Sequence, residues 1–294
     1  MSASELSLET TSSPYWVAAR WVLRLGVCLQ AIGLAQWWIN YEQLPLDEWL
    51  WVGEEGGGLG WSETEALALQ KQLGWLALVC GLLSLVRPCL LVTGPLVLLE
   101  GLLLFAMLKT NYGYSLERNW VAPHVERWFP LGGHAARVVA PLGLILIDPF
   151  WGFWRKGTNL SPKSIRAFSG MQLMRMAIAC TFAIHGMEAL QLKGTFLDLL
   201  IGTSQRWFGW DMSQIVAEQI LTIVGYVDLA VAGGCLMVRS RLVCGWLAVW
   251  GFVTALSRIT AGGLENHWHE TLWRASHFCI PIALGLYWHI LRKK

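Results

Sequence analysis

The sequence predicts an all-α polytopic membrane protein, with eight transmembrane helices arranged as two tandem four-helix bundles. Three observations predict it. The 294 residues are 55% hydrophobic and only 14% charged, with a mean hydropathy of +0.46, whereas soluble domains carry about 25% charge. The apolar residues fall in blocks of about 20, the length that spans roughly 30 Å of hydrocarbon. The order of polar marks along those blocks also occurs twice.

The elements follow in order. Residues 1–14, "MSASELSLETTSSP", hold two acids and no base, and read as a polar tail, not a signal peptide. A first repeat at 15–150 holds spans at 15–38, 68–86, 90–108 and 134–150. A linker at 151–170 follows, and "DPFWGFWRKG" marks its start as an aromatic and basic collar. The second repeat, 171–294, holds spans at 171–192, 215–238, 242–260 and 273–291. "VRPCL" and "VRSRL" are turns too short to join anything but antiparallel neighbours. "TFLDLLIG" (195–202) is too short to span and belongs at an interface.

Charge sets the orientation. The N-terminus, both tight turns, the linker and the C-terminal tail hold 13 of the 22 basic residues and three acids. The opposite loops hold nine bases and 14 acids, in stretches such as "YEQLPLDEWLWVGEEGG". The Lys/Arg bias places both termini in the cytoplasm, in a cell (inner or plasma) membrane. Many of the 19 tryptophans, among them Trp37, Trp38, Trp207, Trp210 and Trp273, lie at block ends, where indoles favour the membrane–water interface. The seven cysteines form no CxxC and read as small buried hydrophobes. A net charge of +2 without basic runs argues against a nucleic-acid partner.

The duplication is read from matched features. Each half opens with an arginine-bearing helix, "RWVLRLGVCLQAIG" or "MRMAIACTFAIHG". Each has a long loop ending in Gly-Trp, then a hairpin around an arginine turn. The last span of each carries a proline, in "HAARVVAPLGLIL" and "WRASHFCIPIALGL". His134 and Arg137 stand where Arg274 and His277 stand in the second repeat, one basic pair per repeat. Four spans per repeat imply an axis along the membrane normal.

"MRMAIACTFAIHGMEAL" and "GYVDLAVAGGCLMVRSRLVCGWLAVWGFVTAL" resemble the DoxX/DoxD family of four-helix membrane proteins over about 90 residues. The resemblance rests on Arg175, His185, Gly186, Asp228, Gly233, Gly234 and Arg239. The first repeat departs from it, with Ile32 before Gly33 and Ala77 near the place of the acid. The resemblance implies a four-helix fold per repeat and membrane redox work linked to quinones, with electrons carried by another protein.

Three acids lie within spans: Glu100, Glu188 and Asp228. A charge at mid-bilayer costs on the order of 3 kcal/mol, so such groups face a bundle interior and find partners. His185, Glu188 and Asp228 are the candidate catalytic residues, and Arg258, Arg274 and His277 the candidate substrate-binding ones. All six reach similar depth, which predicts a polar pocket facing outward in the second repeat. An imidazole beside a carboxylate can pass protons, and arginines bind anions. The same cluster also reads as a buried network pinning helices together. Glu100 reads as structural, with Gln36 and His134 as available partners. "ENHWHET" reads as an outer loop, and neither metal nor haem is expected. The leading expectation is a subunit for quinone-linked redox chemistry, working with the bilayer and an electron-carrying partner. Carriage of a lipid or small solute, and a scaffold with acidic outer loops, stand as alternatives. Assembly into a homo-oligomer stays open.

Overall fold

The computed structural model describes residues 13–110, 123–148 and 160–292. The tail through residue 12 and most of the aromatic collar lie outside the described residues. Among those described, helices are the regular structure and no strand occurs. The first half forms α1 (Pro14–Asn40), α2 (Pro45–Trp51), α3 (Glu63–Val86), α4 (Leu90–Thr110), α5 (Pro123–Glu126), α6 (Phe129–Gly133) and α7 (Ala135–Ile147). The second half forms α8 (Ile165–Leu190), α9 (Gly194–Phe208), α10 (Gln214–Met237), α11 (Arg241–Gly262), α12 (Leu264–Trp273) and α13 (Ser276–Arg292).

Local chemistry sets the ends. Pro14 and Pro45 sit in the first turns of α1 and α2, where a missing N–H costs nothing. Ser62 and Glu65 form a reciprocal capping box at α3. Ser164 accepts from Ala167 N at the start of α8.

Among the described residues six helices, α1, α3, α4, α8, α10 and α11, are long and apolar enough to cross a membrane. The predicted spans at 134–150 and 273–291 are shorter as helices. α7 has 13 residues and α13 has 17, or about 20 and 26 Å at 1.5 Å per residue. Each is cut at the residue that opens its basic pair. His134 (φ −98°, ψ 0°) separates α6 from α7, and Arg274 (φ −92°, ψ 12°) lies between α12 and α13. The matched prolines, Pro141 and Pro281, lie inside the two short helices.

Small residues allow the closest crossing. A Cβ on Gly186 would come within 2.9 Å of Gly225 O, and one on Gly225 within 2.8 Å of Gly186 O. Only glycine at both places lets α8 and α10 touch backbone to backbone, as membrane helices do when no hydrophobic force drives them together. In the first half α1 packs on α3 through Gly81, where a Cβ would come within 2.5 Å of the Ala31 methyl.

The end helices are exchanged. α7 packs on α8, and α13 packs on α1, so each half closes against the other. α1, α7, α8 and α13 form one shared centre, and a large apolar core runs through both halves, with a second, smaller cluster around Leu197 and Leu221. The α3/α4 and α10/α11 hairpins flank it. Several tryptophans follow the core and not the interface. Trp16, Trp38 and Trp288 are fully buried and Trp273 nearly so, whereas Trp207 and Trp210 are exposed.

At the tight-turn end the halves match. Arg24 donates to Leu85 O at 3.0 Å, and Arg175 donates to Leu236 O at 2.6 Å. Each arginine satisfies a carbonyl in the last turn of the neighbouring helix, where backbone partners run out. Arg24 adds a two-pronged bond to buried Asp148 at 2.9 and 3.0 Å. Arg175 donates instead to Cys235 O at 2.7 Å and lies 5.5 Å from the Trp288 ring.

Candidate functional site

The long-loop end encloses a cavity of about 650 Å³. His185, Glu188, Asp228, Arg258, Arg274 and His277 all line it. So do His134 and Arg137 of the first half, because α7 is packed against α8. The two basic pairs, one per repeat in the sequence, therefore share one chamber. Glycines set two of its walls. Gly33 lies where any side chain would strike the backbone of His269 and Trp273, so α12 rests on α1. A Cβ on Gly251 would meet His277 O at 2.5 Å, so the start of α13 rests on α11 and carries His277 to the cavity.

The polar groups form four knots. His185 Nδ1 stands 2.9 Å from Glu188 Oε2, and Lys193 Nζ donates to Glu188 Oε1 at 2.6 Å. Glu270 Oε2 lies 3.4 Å from Arg274 Nη1 and 3.7 Å from Arg258 Nη1, while His267 Nδ1 is 2.8 Å from Oε1. Burial raises the Glu270 pKa, but Arg274, Arg258 and His267 outweigh it and hold the carboxyl at about 2. Trp250 Nε1 donates to Asp228 Oδ1 at 2.7 Å, across the α10/α11 hairpin.

The fourth knot joins the halves. The Arg137 guanidinium stands 3.8 Å from the centre of the Trp273 ring, and its Nη1 is 3.0 Å from His134 Nδ1. Trp273 Nε1 donates to Glu100 Oε1 at 3.0 Å, and Gln30 Nε2 donates to the same oxygen at 2.9 Å. Gln30 also donates to Arg137 O at 2.9 Å. The expected Glu100 partners, Gln36 and His134, are thus replaced by Gln30 and Trp273.

The remaining wall is apolar. Phe196 and Leu200 of α9, Leu221 and Val224 of α10, and Val253 and Leu256 of α11 supply much of it. α10 and α11 share a tight turn yet barely touch. α10 lies on α8, while α11 lies on α13 and α9. The hairpin is splayed, and Asp228–Trp250 bridges it at mid-height.

Reasoning from sequence left out Lys193, Glu270, Trp250 and Trp273 as site residues, and kept Arg137 within its own half. Glu270 had a signal, since it stands three residues after His267 and four before Arg274 on one helical face. "ENHWHET" is helical, within α12, where a loop was expected. Its two histidines part ways: His267 meets Glu270, and His269 lies 4.7 Å from the Tyr41 ring. Among the described residues no group of three His, Cys, Asp or Glu side chains could hold a metal ion.

Compared with known proteins, the chain matches no family model, no curated sequence and no solved structure.

Proposed function

We propose that this chain is a DoxX-like membrane protein that holds one amphipathic molecule in the cavity and supports quinone-linked redox chemistry. In this reading all eight predicted spans cross the membrane and both termini are cytoplasmic. The long-loop end with its cavity then faces outward. The observation that carries the reading is the composition of the cavity. Imidazoles and arginines converge from both halves, and an apolar wall continues to a splayed hairpin at the lipid. A small polar ring fits the first, and an isoprenoid tail fits the second.

His185 and Glu188 are suited to proton handling. Glu188 accepts from Nδ1 and holds the imidazole, which leaves Nε2 to exchange a proton with a ring oxygen. Lys193 supplies a counter-charge to Glu188 at 2.6 Å. Asp228 stands further along the wall on Trp250. Electrons come from or go to a separate partner.

The test is mass spectrometry of small molecules that co-purify in mild detergent. A stoichiometric quinone, lost in His185→Ala with Glu188→Gln, is the expected result. In membranes, Glu188→Gln and Asp228→Asn should abolish quinone-coupled turnover while the folded protein persists. Unchanged turnover overturns the redox reading. A second reading, carriage of a lipid, is favoured by the splayed α10/α11 hairpin. It predicts a phospholipid or fatty acid in place of the quinone.

A further inference from the structure

We infer that the polar end of the cavity is an anion site, and that the molecule it takes is an acidic amphiphile, with an ionised oxygen on a hydrophobic body. This rests on the amphiphile reading above and adds the charge of the head. Four cationic side chains line the cavity, Arg137, Lys193, Arg258 and Arg274, against three carboxylates. The carboxylates are already engaged. Glu188 is held by Lys193 and His185, Glu270 by Arg258, Arg274 and His267, and Asp228 by Trp250.

Arg137 is left over. It is 2% exposed and makes no ion pair within 4 Å among the described residues. Glu100 acts on it electrostatically but makes no ion pair with it: Oε1 is taken by Gln30 and the indole N–H, and Oε2 has no hydrogen-bond partner. Glu100, Glu270 and Glu188 act on the Arg137 guanidinium only from beyond contact distance, and an anion in the cavity would give it a direct partner.

Unpartnered nitrogens agree with the charge. Arg137 Nε, Arg258 Nε and His277 Nε2 are buried without a hydrogen-bond partner. They come from α7, α11 and α13, and all three residues line the cavity. Arg137, His185, Arg274 and Arg258 all act electrostatically on His277, and none of them is an acid. Guanidinium forks match the paired oxygens of a carboxylate or phosphate, and also bind a single phenolate oxygen. The apolar wall of Phe196, Leu221 and Val253 makes a free inorganic anion a poor fit and an amphiphile a good one.

Two sources share this chemistry: a quinone ring with an ionised hydroxyl, and an acidic lipid. Binding is measured in nanodiscs of zwitterionic lipid with two matched probe pairs. One is a 2-hydroxy-1,4-naphthoquinone with an alkyl chain against its methyl ether. The other is a ten-carbon fatty acid against its methyl ester. The acid of one pair should bind at least ten-fold tighter than its neutral partner, and the preferred pair names the source. Arg137→Gln should bring the acid down to the neutral affinity and leave the neutral probe unchanged, while Arg137→Lys keeps part of the preference. If Arg137→Gln does not fold, Arg258→Gln carries the same test with its more accessible side chain. Equal binding of acid and neutral probes, or a preference that survives both glutamine variants, overturns the anion site. A neutral probe that binds alone overturns it too, and leaves the amphiphile reading standing. No binding by any probe overturns both.

Discussion

The two halves agree at one end of the molecule and part at the other. At the tight-turn end Arg24 and Arg175 reach matched carbonyls, Leu85 O and Leu236 O. At the long-loop end the second half has His185, Glu188 and Asp228, where the first has Ile32, Ala35 and Ala77. α2 is a seven-residue helix wedged against both α3 and α4, with Trp49 edge-on to Phe105 at 5.0 Å. Its counterpart α9 has 15 residues and lines an open chamber. Half of α4's apolar window is buried, against 22% of α11's. The lesson is a division of labour: the tight-turn end holds the fold, and the long-loop end is free to be packed or hollow.

That comparison can be broken most sharply at the tight-turn end. Arg24→Met takes the two-pronged partner from Asp148, which is fully buried, and should cost about 3–5 kcal/mol. Arg175→Met strands only carbonyl oxygens and should cost about 1–3 kcal/mol. Thermal melts in detergent read both. Equal losses would show that Asp148 adds nothing and that the ends are more alike than their partners suggest.

A next effect separates hollow from packed. Gly33→Ala drives a methyl into the α12 backbone and should cost about 3 kcal/mol and loosen Trp273. Gly101→Ala meets nothing within 4 Å and should stabilise α4 by about 0.5–1 kcal/mol. A Gly33→Ala protein as stable as the parent would mean that α12 does not need its close seat on α1.

Glu270 gives the smaller test of the long-loop end. The first half has Pro130 at the matching place. Glu270→Gln should cost about 1–3 kcal/mol at pH 7. The folded carboxyl sits at about 2, below its ordinary 4.5. Its contribution is therefore complete above pH 4.5 and fades as pH falls toward 2. The melting gap between parent and Glu270→Gln should be widest at neutral pH and narrow by pH 3. A constant gap would detach Glu270 from its arginines.

Much of this was legible in the residues. Block length and turn chemistry placed the helices of the expected spans to within about six residues at their ends, and missed α2, α5, α6 and α12. Polar residues inside spans pointed to one depth and one face. What stayed hidden depends on contacts between distant segments. Arg137 was placed in the first repeat, and periodicity says nothing of α7 lying on α8. Lys193, just beyond a span, resembles any lysine reaching for headgroups. Trp273 and Trp38 sit at block ends like interfacial indoles, but Trp273 is buried against α1 and Trp38 against α3. Glu100 found its partners through the same crossing, since Trp273 belongs to the other half.

If the halves are two copies of one four-helix unit, as their matched polar residues suggest, the exchange of end helices carries a consequence about ancestry. A four-helix unit whose last helix lies on its neighbour is incomplete alone, and two copies complete each other around a two-fold axis. An unduplicated chain of this topology should exist as a symmetric dimer with identical polar ends. In such a dimer every substitution appears twice, so one chamber cannot be filled without filling the other. Joining the copies in one polypeptide removes that constraint. One side can be closed with Trp49 and Leu50 while the other keeps its histidines, and the closed side still lends Arg137 to the open one.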